Sequence, residues 1–323
     1  MPGRKLGFAV KVLGEPDLPS HDTRRWQSGP HLNVSLERLG RIFDYLARAR
    51  IAMYRFSSSL VPYGTHPDLP EFHGQVEECA EKLASLGEHA RTLGLRLSSH
   101  PSQYIVLNST SPQVSRGAVR DLELQARLLD AMGLGPEAVV VLHVGSAEAG
   151  PEAGKERFLR AVERLPGAAR GRLVIENDDR VFSLADVADI SKRTGLRVVW
   201  DILHHHCHDP EGIPDREALR LALATWPAGQ VPKIHYSSPK TAVEERARKR
   251  GRRRERRLVL PQLRAHADMV DPIAFEQFLR GPARGLSFDV MLEAKAKDAA
   301  LLRLREQLAA RGLPSEDGAL RTP

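Results

Sequence analysis

Short apolar, often β-branched runs alternate along this chain with longer segments whose apolar residues recur at helical spacing. The runs predict strands over Leu6–Val10, Ala52–Phe56, Arg96–His100, Ala138–Val144, Arg172–Glu176, Arg197–Asp201, Val231–Tyr236 and Leu286–Glu293. Between them the spacing predicts helices over Leu36–Arg50, Val76–Leu93, Ser115–Met132, Lys155–Leu165, Leu184–Thr194, Arg216–Thr225, Pro272–Leu279 and Lys297–Arg311. Gly94, Gly133 and Gly195 stand where a left-handed residue closes a helix, and the next strand follows at once. Eight strand-helix units in 323 residues predict an α/β fold in a single domain, a (β/α)8 TIM barrel. An open doubly wound sheet would want a glycine-rich turn after its first strand, and Gly7 and Gly14 do not form one. The barrel is assigned residues 1–312 with an Arg-rich insertion at 241–264, and residues 313–323 are expected to form a frayed tail.

Composition narrows the setting. Hydrophobic residues at 41% and charged residues at 28% fit a soluble globular protein rather than a disordered or membrane one. Apolar runs such as Ala138–Val144 fall far short of the roughly 20 residues that span a bilayer. No basic segment leads into an apolar stretch at the start, so a cytoplasmic protein with no membrane partner is expected; it is also expected to be a monomer. Two cysteines cannot build a disulfide framework. Cys207 sits in the run His204-His205-His206-Cys207-His208, but no second cysteine lies at zinc-finger spacing. The net charge of +7 is local: residues 244–257 hold nine Lys or Arg against three Glu, an excess of +6. Such a tract suits a polyanionic partner, with a solvated helix face as the alternative.

In a barrel of this kind the active site lies at the C-terminal ends of the strands. There the sequence places His100, His143, Glu176, Asp201 with His204 three residues on, His235 and Glu293, while strand two runs out through Ser57-Ser58-Ser59 to His66. One histidine closing a strand is usually a hydrogen-bonded structural residue. Six successive strands ending in His, Asp or Glu would converge three carboxylates and at least four imidazoles, an arrangement that needs cations between its charges. Imidazole and carboxylate without thiolate suit manganese, iron, cobalt or zinc. Two or more such ions polarise a phosphoryl group and lower the pKa of a bound water, which points to hydrolysis of a phosphate ester. Glu176, midway between the His100 and His143 side and the Asp201, His235 and Glu293 side, is expected to be the bridging carboxylate.

Together these segments resemble the UV damage endonuclease family, the enzymes of alternative excision repair. The matching stretches are Tyr54-Arg55-Phe56-Ser57-Ser58-Ser59-Leu60-Val61-Pro62, Thr65-His66-Pro67-Asp68, His100-Pro101-Ser102-Gln103-Tyr104, Leu142-His143-Val144-Gly145, Ile175-Glu176-Asn177-Asp178-Asp179, Asp201-Ile202-Leu203-His204-His205, Pro232-Lys233-Ile234-His235, His266-Ala267-Asp268 and Glu293-Ala294-Lys295. They run from strand two to strand eight, and their shared order and spacing are highly specific. The resemblance implies a three-metal TIM-barrel nuclease using Mn2+, with Co2+, Mg2+ or Zn2+ as substitutes. Its ligands would be His66, His100, His143, Glu176, Asp201, His204, His235, His266 and Glu293, and Glu176, Lys233 and His235 are assigned to the catalytic centre. It implies that Lys233 is carboxylated, where residue type alone suggests a lysine with a depressed pKa. It further implies incision of double-stranded DNA immediately 5′ of ultraviolet photoproducts, with Gln103 and Tyr104 probing the gap opposite the extruded bases. Two departures stand out: Lys11 and Val12 replace an expected polar Asn in the first loop, and the Arg-rich tract is longer than usual. Its Arg250, Arg252, Arg253 and Arg254 are expected on the DNA backbone. The rival readings are an endonuclease at abasic sites on the same scaffold, a metal-dependent sugar isomerase, and a nucleic-acid-binding module without catalysis.

Overall fold

The computed structural model describes residues 3–250, 253–316 and 318–321. Its strands are β1 (Arg4–Ala9), β2 (Met53–Arg55), β3 (Arg96–Ser99), β4 (Val139–His143), β5 (Leu173–Glu176), β6 (Arg197–Val199), β7 (Lys233–Tyr236), β8 (Glu244–Arg250), β9 (Arg253–Val259), β10 (Asp289–Leu292), β11 (Ser315–Glu316) and β12 (Ala319–Leu320). From β1 to β6 each pairs in parallel with the next, β7 pairs with β10, and β10 returns to β1. Between β6 and β7 the contact is a single parallel bridge, Asp201 to His235, with the His235 N–H donating to the Trp200 carbonyl at 3.0 Å. The ring of eight parallel strands is thereby complete, as the alternation of patterns predicts.

Helices cover the outside of the ring, among them Leu32–Arg48, Pro112–Ala131, Leu184–Thr194 and Lys297–Ala310. Gly94, Gly133 and Gly195 adopt φ of +62°, +61° and +75°, where a side chain would be strained. Among the described residues no helix is long and apolar enough to cross a membrane. The alternation of side chains along each strand sorts the apolar residues into two sets. Val140, Leu142, Leu173, Ile175, Val198 and Trp200 join the large core beneath the helices. Their neighbours Val139, Val141, Val174 and Val199 form a separate cluster inside the ring with Trp226.

Three expectations change. The predicted helix Val76–Leu93 is two, Gln75–Glu78 and Ala80–Thr92, broken at Cys79. Buried Gln75 accepts from Leu32 N–H at 2.7 Å and donates to the Pro62 and Phe72 carbonyls, tertiary bonds that fix the first turn and that periodicity cannot see. The described part of the expected tail is not frayed: β12 pairs antiparallel with β1 at Arg4–Leu320 and Lys5–Ala319, and Leu320 is buried. The Arg-rich tract is not a helix face but an antiparallel hairpin, β8 with β9, running from the pair Glu244–Val259 to Arg250–Arg253. In a helix its like charges would stack three and four residues apart, whereas a strand sends neighbours to opposite faces.

Candidate metal centre

The inward parity that places Val139 and Val141 inside the ring carries on to His143 one step further, and the same rule holds on every strand around the barrel. Lowest come Arg96 and Asp289, paired at 2.8 Å. Next are Ser98 and Lys233, joined by a 3.0 Å bond from Nζ to Oγ. At the mouth stand Arg55, His100, His143, Glu176, Asp201, His235 and Glu293. Strand ends therefore bear the candidate ligands because the barrel interior ends there, and Lys233 lies one layer beneath them.

Glu176 is fully buried at the centre. Its Oε2 lies 3.0 Å from His100 Nε2 and 3.6 Å from His143 Nε2, while Oε1 lies 2.8 Å from His235 Nδ1 and 3.7 Å from His204 Nδ1. Glu293 Oε1 is 3.3 Å from His235 Nδ1 and also pairs with Arg55. Three groups have ligand atoms close enough to share an ion: His100, His143 and Glu176; Glu176, Asp201 and His204; Asp201, His235 and Glu293. Each ring needs a fixed orientation, and backbone carbonyls supply it. His100 Nδ1 donates to Pro101 at 3.0 Å, His204 Nδ1 to Asn177 at 3.0 Å, and His266 Nδ1 to Glu293 at 2.8 Å. In each, Nε2 is the nitrogen that would offer its lone pair to a bound cation. Asp201 divides its oxygens: Oδ1 caps the short helix Ile202–Cys207 by accepting from His204 N–H at 2.8 Å, and Oδ2 is buried without a partner. His143 Nδ1 and His235 Nε2 are buried without partners as well. Buried polar atoms are rarely left so, and a carboxylate oxygen and imidazole nitrogens that await a partner fit divalent cations.

Charge and burial shape the titration. Burial would keep Glu176 protonated, yet His235, His143 and His100 hold its carboxyl well below the usual range. Burial opposes the charged form of His204 too, but Asp201, Glu176 and Glu293 outweigh it and lift the ring to about 9. Lys233 moves the other way: burial, with Arg96 and Arg55 nearby, pushes its amine well below the ordinary ammonium range.

Of the nine ligands that the resemblance implies, His100, His143, Glu176, Asp201, His204, His235 and Glu293 fall into the three groups. His266 lies beside them, its Nδ1 3.6 Å from Glu293 Oε2. His66 stands apart, exposed on the turn after β2, its Nδ1 accepting from Asp68 N–H. Cys207 belongs to none of the groups. Gln103 lines a groove of about 340 Å³ with His100, His143, Asp178, Arg180 and His204, and Tyr104 beside it is 77% exposed rather than packed against a loop. Of the residues expected on the DNA backbone, Arg252 lies outside the described residues, as do the side chains of Arg250, Arg253 and Arg254. Sequence reasoning missed Arg55, although its parity with Met53 on β2 marks it as inward-facing. Asn177 was missed too. It accepts from Asp201 N–H at 2.9 Å and donates to the Asp201 carbonyl at 3.0 Å, which fastens the chain just past β5 to the chain just past β6 beside the candidate ligands Glu176 and Asp201.

A family model described as UV-endonuclease UvdE matches residues 32–313. A UV DNA damage endonuclease of Bacillus cereus (strain G9842) is 31% identical over 294 residues, covering 90% of this chain and 86% of that protein. One of Bacillus pumilus (strain SAFR-032) is 33% identical over 263 residues, covering 80% and 76%. The crystal structure of SacUVDE matches with a TM-score of 0.82 at 28% identity, over 96% of this chain and 99% of that one. Endonuclease IV from Thermus thermophilus, at 16% identity and a TM-score of 0.55 over 95% and 99% of the chains, shares the fold alone. So does D-psicose 3-epimerase from Clostridium cellulolyticum H10, at 11% and 0.53 over 96% and 97%. With the motifs in order, the family model spanning most of the chain and a ligand-rich barrel mouth in place, the chain belongs to the UV-endonuclease UvdE family.

Proposed function

We propose that this protein is a metal-dependent endonuclease that hydrolyses the phosphodiester bond immediately 5′ of ultraviolet photoproducts, cyclobutane dimers and 6-4 products, in double-stranded DNA. The products are a 3′ hydroxyl and a 5′ phosphate. One observation carries the reading: in a chain of this family, a ring of inward His, Asp and Glu residues leaves buried ligand atoms of His143, Asp201 and His235 without partners. Three Mn2+ ions, replaceable by Co2+, Mg2+ or Zn2+, would be held by His100, His143, Glu176, Asp201, His204, His235, His266 and Glu293, with His66 assigned on the resemblance alone. When bound, such ions polarise the phosphoryl group and lower the pKa of a water.

The protein's own part is orientation and charge. Glu176 turns one oxygen toward His100 and His143 and the other toward His235, the disposition of a bridging carboxylate. Lys233 sits buried beneath it, and a neutral amine is the form that adds carbon dioxide, giving a carbamate and releasing a proton. The carbamate would present a carboxylate next to His235. Gln103 and Tyr104 project beside the groove, where an aromatic side chain compensates stacking lost when damaged bases leave the helix.

A nicking assay on photoproduct-defined, abasic and undamaged duplexes, with and without manganese, tests the reading. Incision 5′ of the photoproduct only with metal is expected. Incision of the abasic duplex alone would move the protein to the rival nuclease class, and no incision of any duplex would overturn the proposal. Tyr104→Ala should lose lesion binding while keeping its metal content; loss of both would assign the residue to folding.

A further inference from the structure

We propose that the β8–β9 hairpin is a duplex-binding arm that grips DNA outside the lesion through phosphate contacts indifferent to sequence and damage. The proposal rests on the reading of the chain as a DNA endonuclease and adds a second binding surface to it. Among the described strands β8 and β9 pair only with each other, as a two-stranded sheet separate from the barrel. A lone hairpin is marginal in water, and this one has little apolar support: Leu258 is 71% exposed and Leu260, just past β9, 77%.

Its register makes matters worse. In the ladder Arg246 stands opposite Arg257, and like charges at opposed positions destabilise a strand pair. Of its three acidic residues, Glu244 and Glu245 lie at the root, where Glu244 pairs with Lys240 and Arg246, and Glu255 stands opposite Arg248 in the register. From Arg246 to Arg254 there are seven Lys or Arg and no acid. A segment that repels itself this way is stabilised by a polyanion laid along it, and each phosphate neutralised releases counterions.

The root says which polyanion. Lys240 N–H donates to the Ala265 carbonyl at 2.8 Å and Ala267 N–H to the Ser238 carbonyl at 2.9 Å, and Pro239 bridges to His266 beside the metal centre. Arg264, on the returning segment, donates to the Asp179 carbonyl at the edge of the groove that contains Gln103. The arm therefore springs from the rim of the nuclease site, and a duplex in the groove is the polyanion it meets. Seven cross-strand pairs at about 3.3 Å per residue span roughly 23 Å, or about seven base pairs, and a two-stranded ribbon is of a size that the major groove admits.

The test uses the metal-loaded protein, an R246Q/R256Q/R257Q variant, and a second variant in which residues 246–257 are replaced by Asn-Gly, a two-residue hairpin turn. Metal content and melting temperature establish that each is folded. Binding to an undamaged duplex is followed by fluorescence anisotropy across a salt series. The slope of log affinity against log salt should fall by about 0.9 for each phosphate that the arm no longer neutralises, with a drop in affinity of about tenfold or more at low salt. Unchanged slope and affinity in both variants would overturn the arm while leaving the nuclease reading intact. Failure of the parent protein to bind any duplex would instead sink that reading. Tighter binding of the parent to phosphatidylglycerol vesicles or to single-stranded RNA than to duplex would also overturn the arm.

Discussion

At the scale of the residue, the candidate site is built from side chains given two tasks each. Asp201 caps a helix with one oxygen and offers the other inward; His204 bonds a carbonyl through Nδ1 and offers Nε2. Asn177 ties these together without being a ligand, and removing such an outer partner typically costs about 10–100-fold in metal affinity or activity. Asn177→Ala should show that loss in a metal titration, and unchanged affinity would remove the residue from the site. Glu176→Gln is a stronger change, because it removes the charge that two groups share: activity should fall by more than about 100-fold and bound metal by more than one equivalent. Full metal content in that variant would end its bridging role. Six of the candidate ligands were legible from strand ends alone, since parity carries an inward column of residues to the barrel mouth, and His204 follows Asp201 by three residues on the next helix. His266 was not, because it reaches the site on a loop whose position follows from its bonds to β10 and to Ser238–Lys240. Arg55 had the right parity but a residue type that does not suggest a ligand.

At the scale of the element, strands and helices were legible wherever local rules act within a few residues. Ser183 caps Leu184–Thr194, with Asp186 accepting in return from the Ser183 N–H at 3.0 Å, a capping box. Ser183→Ala should lower stability by about 1 kcal/mol in chemical denaturation, and no change would mean that packing alone holds that helix end. Where an element depends on distant partners the local pattern misled. Gln75 is held at the start of its short helix by bonds to Leu32, Pro62 and Phe72, and Ala319–Leu320 becomes a strand because Arg4 and Lys5 extend beyond the stretch of β1 that pairs with β2 and β10. The Arg-rich tract carries no apolar periodicity, so its sequence left helix and polyanion-binding segment as alternatives.

At the scale of the whole molecule, the barrel concentrates titratable groups that would be unremarkable apart. In chelator-treated protein the proton on His204 is held in the folded state up to about pH 9 against an ordinary 6.5. Its contribution to stability is thus complete below about pH 6.5 and disappears as pH rises through 9. The stability difference between the metal-free parent and His204→Gln should shrink over that interval when melting is followed against pH. With metal bound the imidazole must be neutral, so the alkaline loss should vanish; a difference independent of pH without metal would refute the assignment. By itself the sequence determined the eightfold alternation, the inward column on each strand and hence most of the ligands, because side-chain period and strand ends are local properties. Only the tertiary structure decided the distances at which those columns meet around Glu176 and the bond that holds Lys233 to Ser98. It also decided that His266 joins them while His66 stands apart, and that the basic tract leaves the rim as a hairpin. Distances between strands, burial and opposing charges arise only when the ring closes.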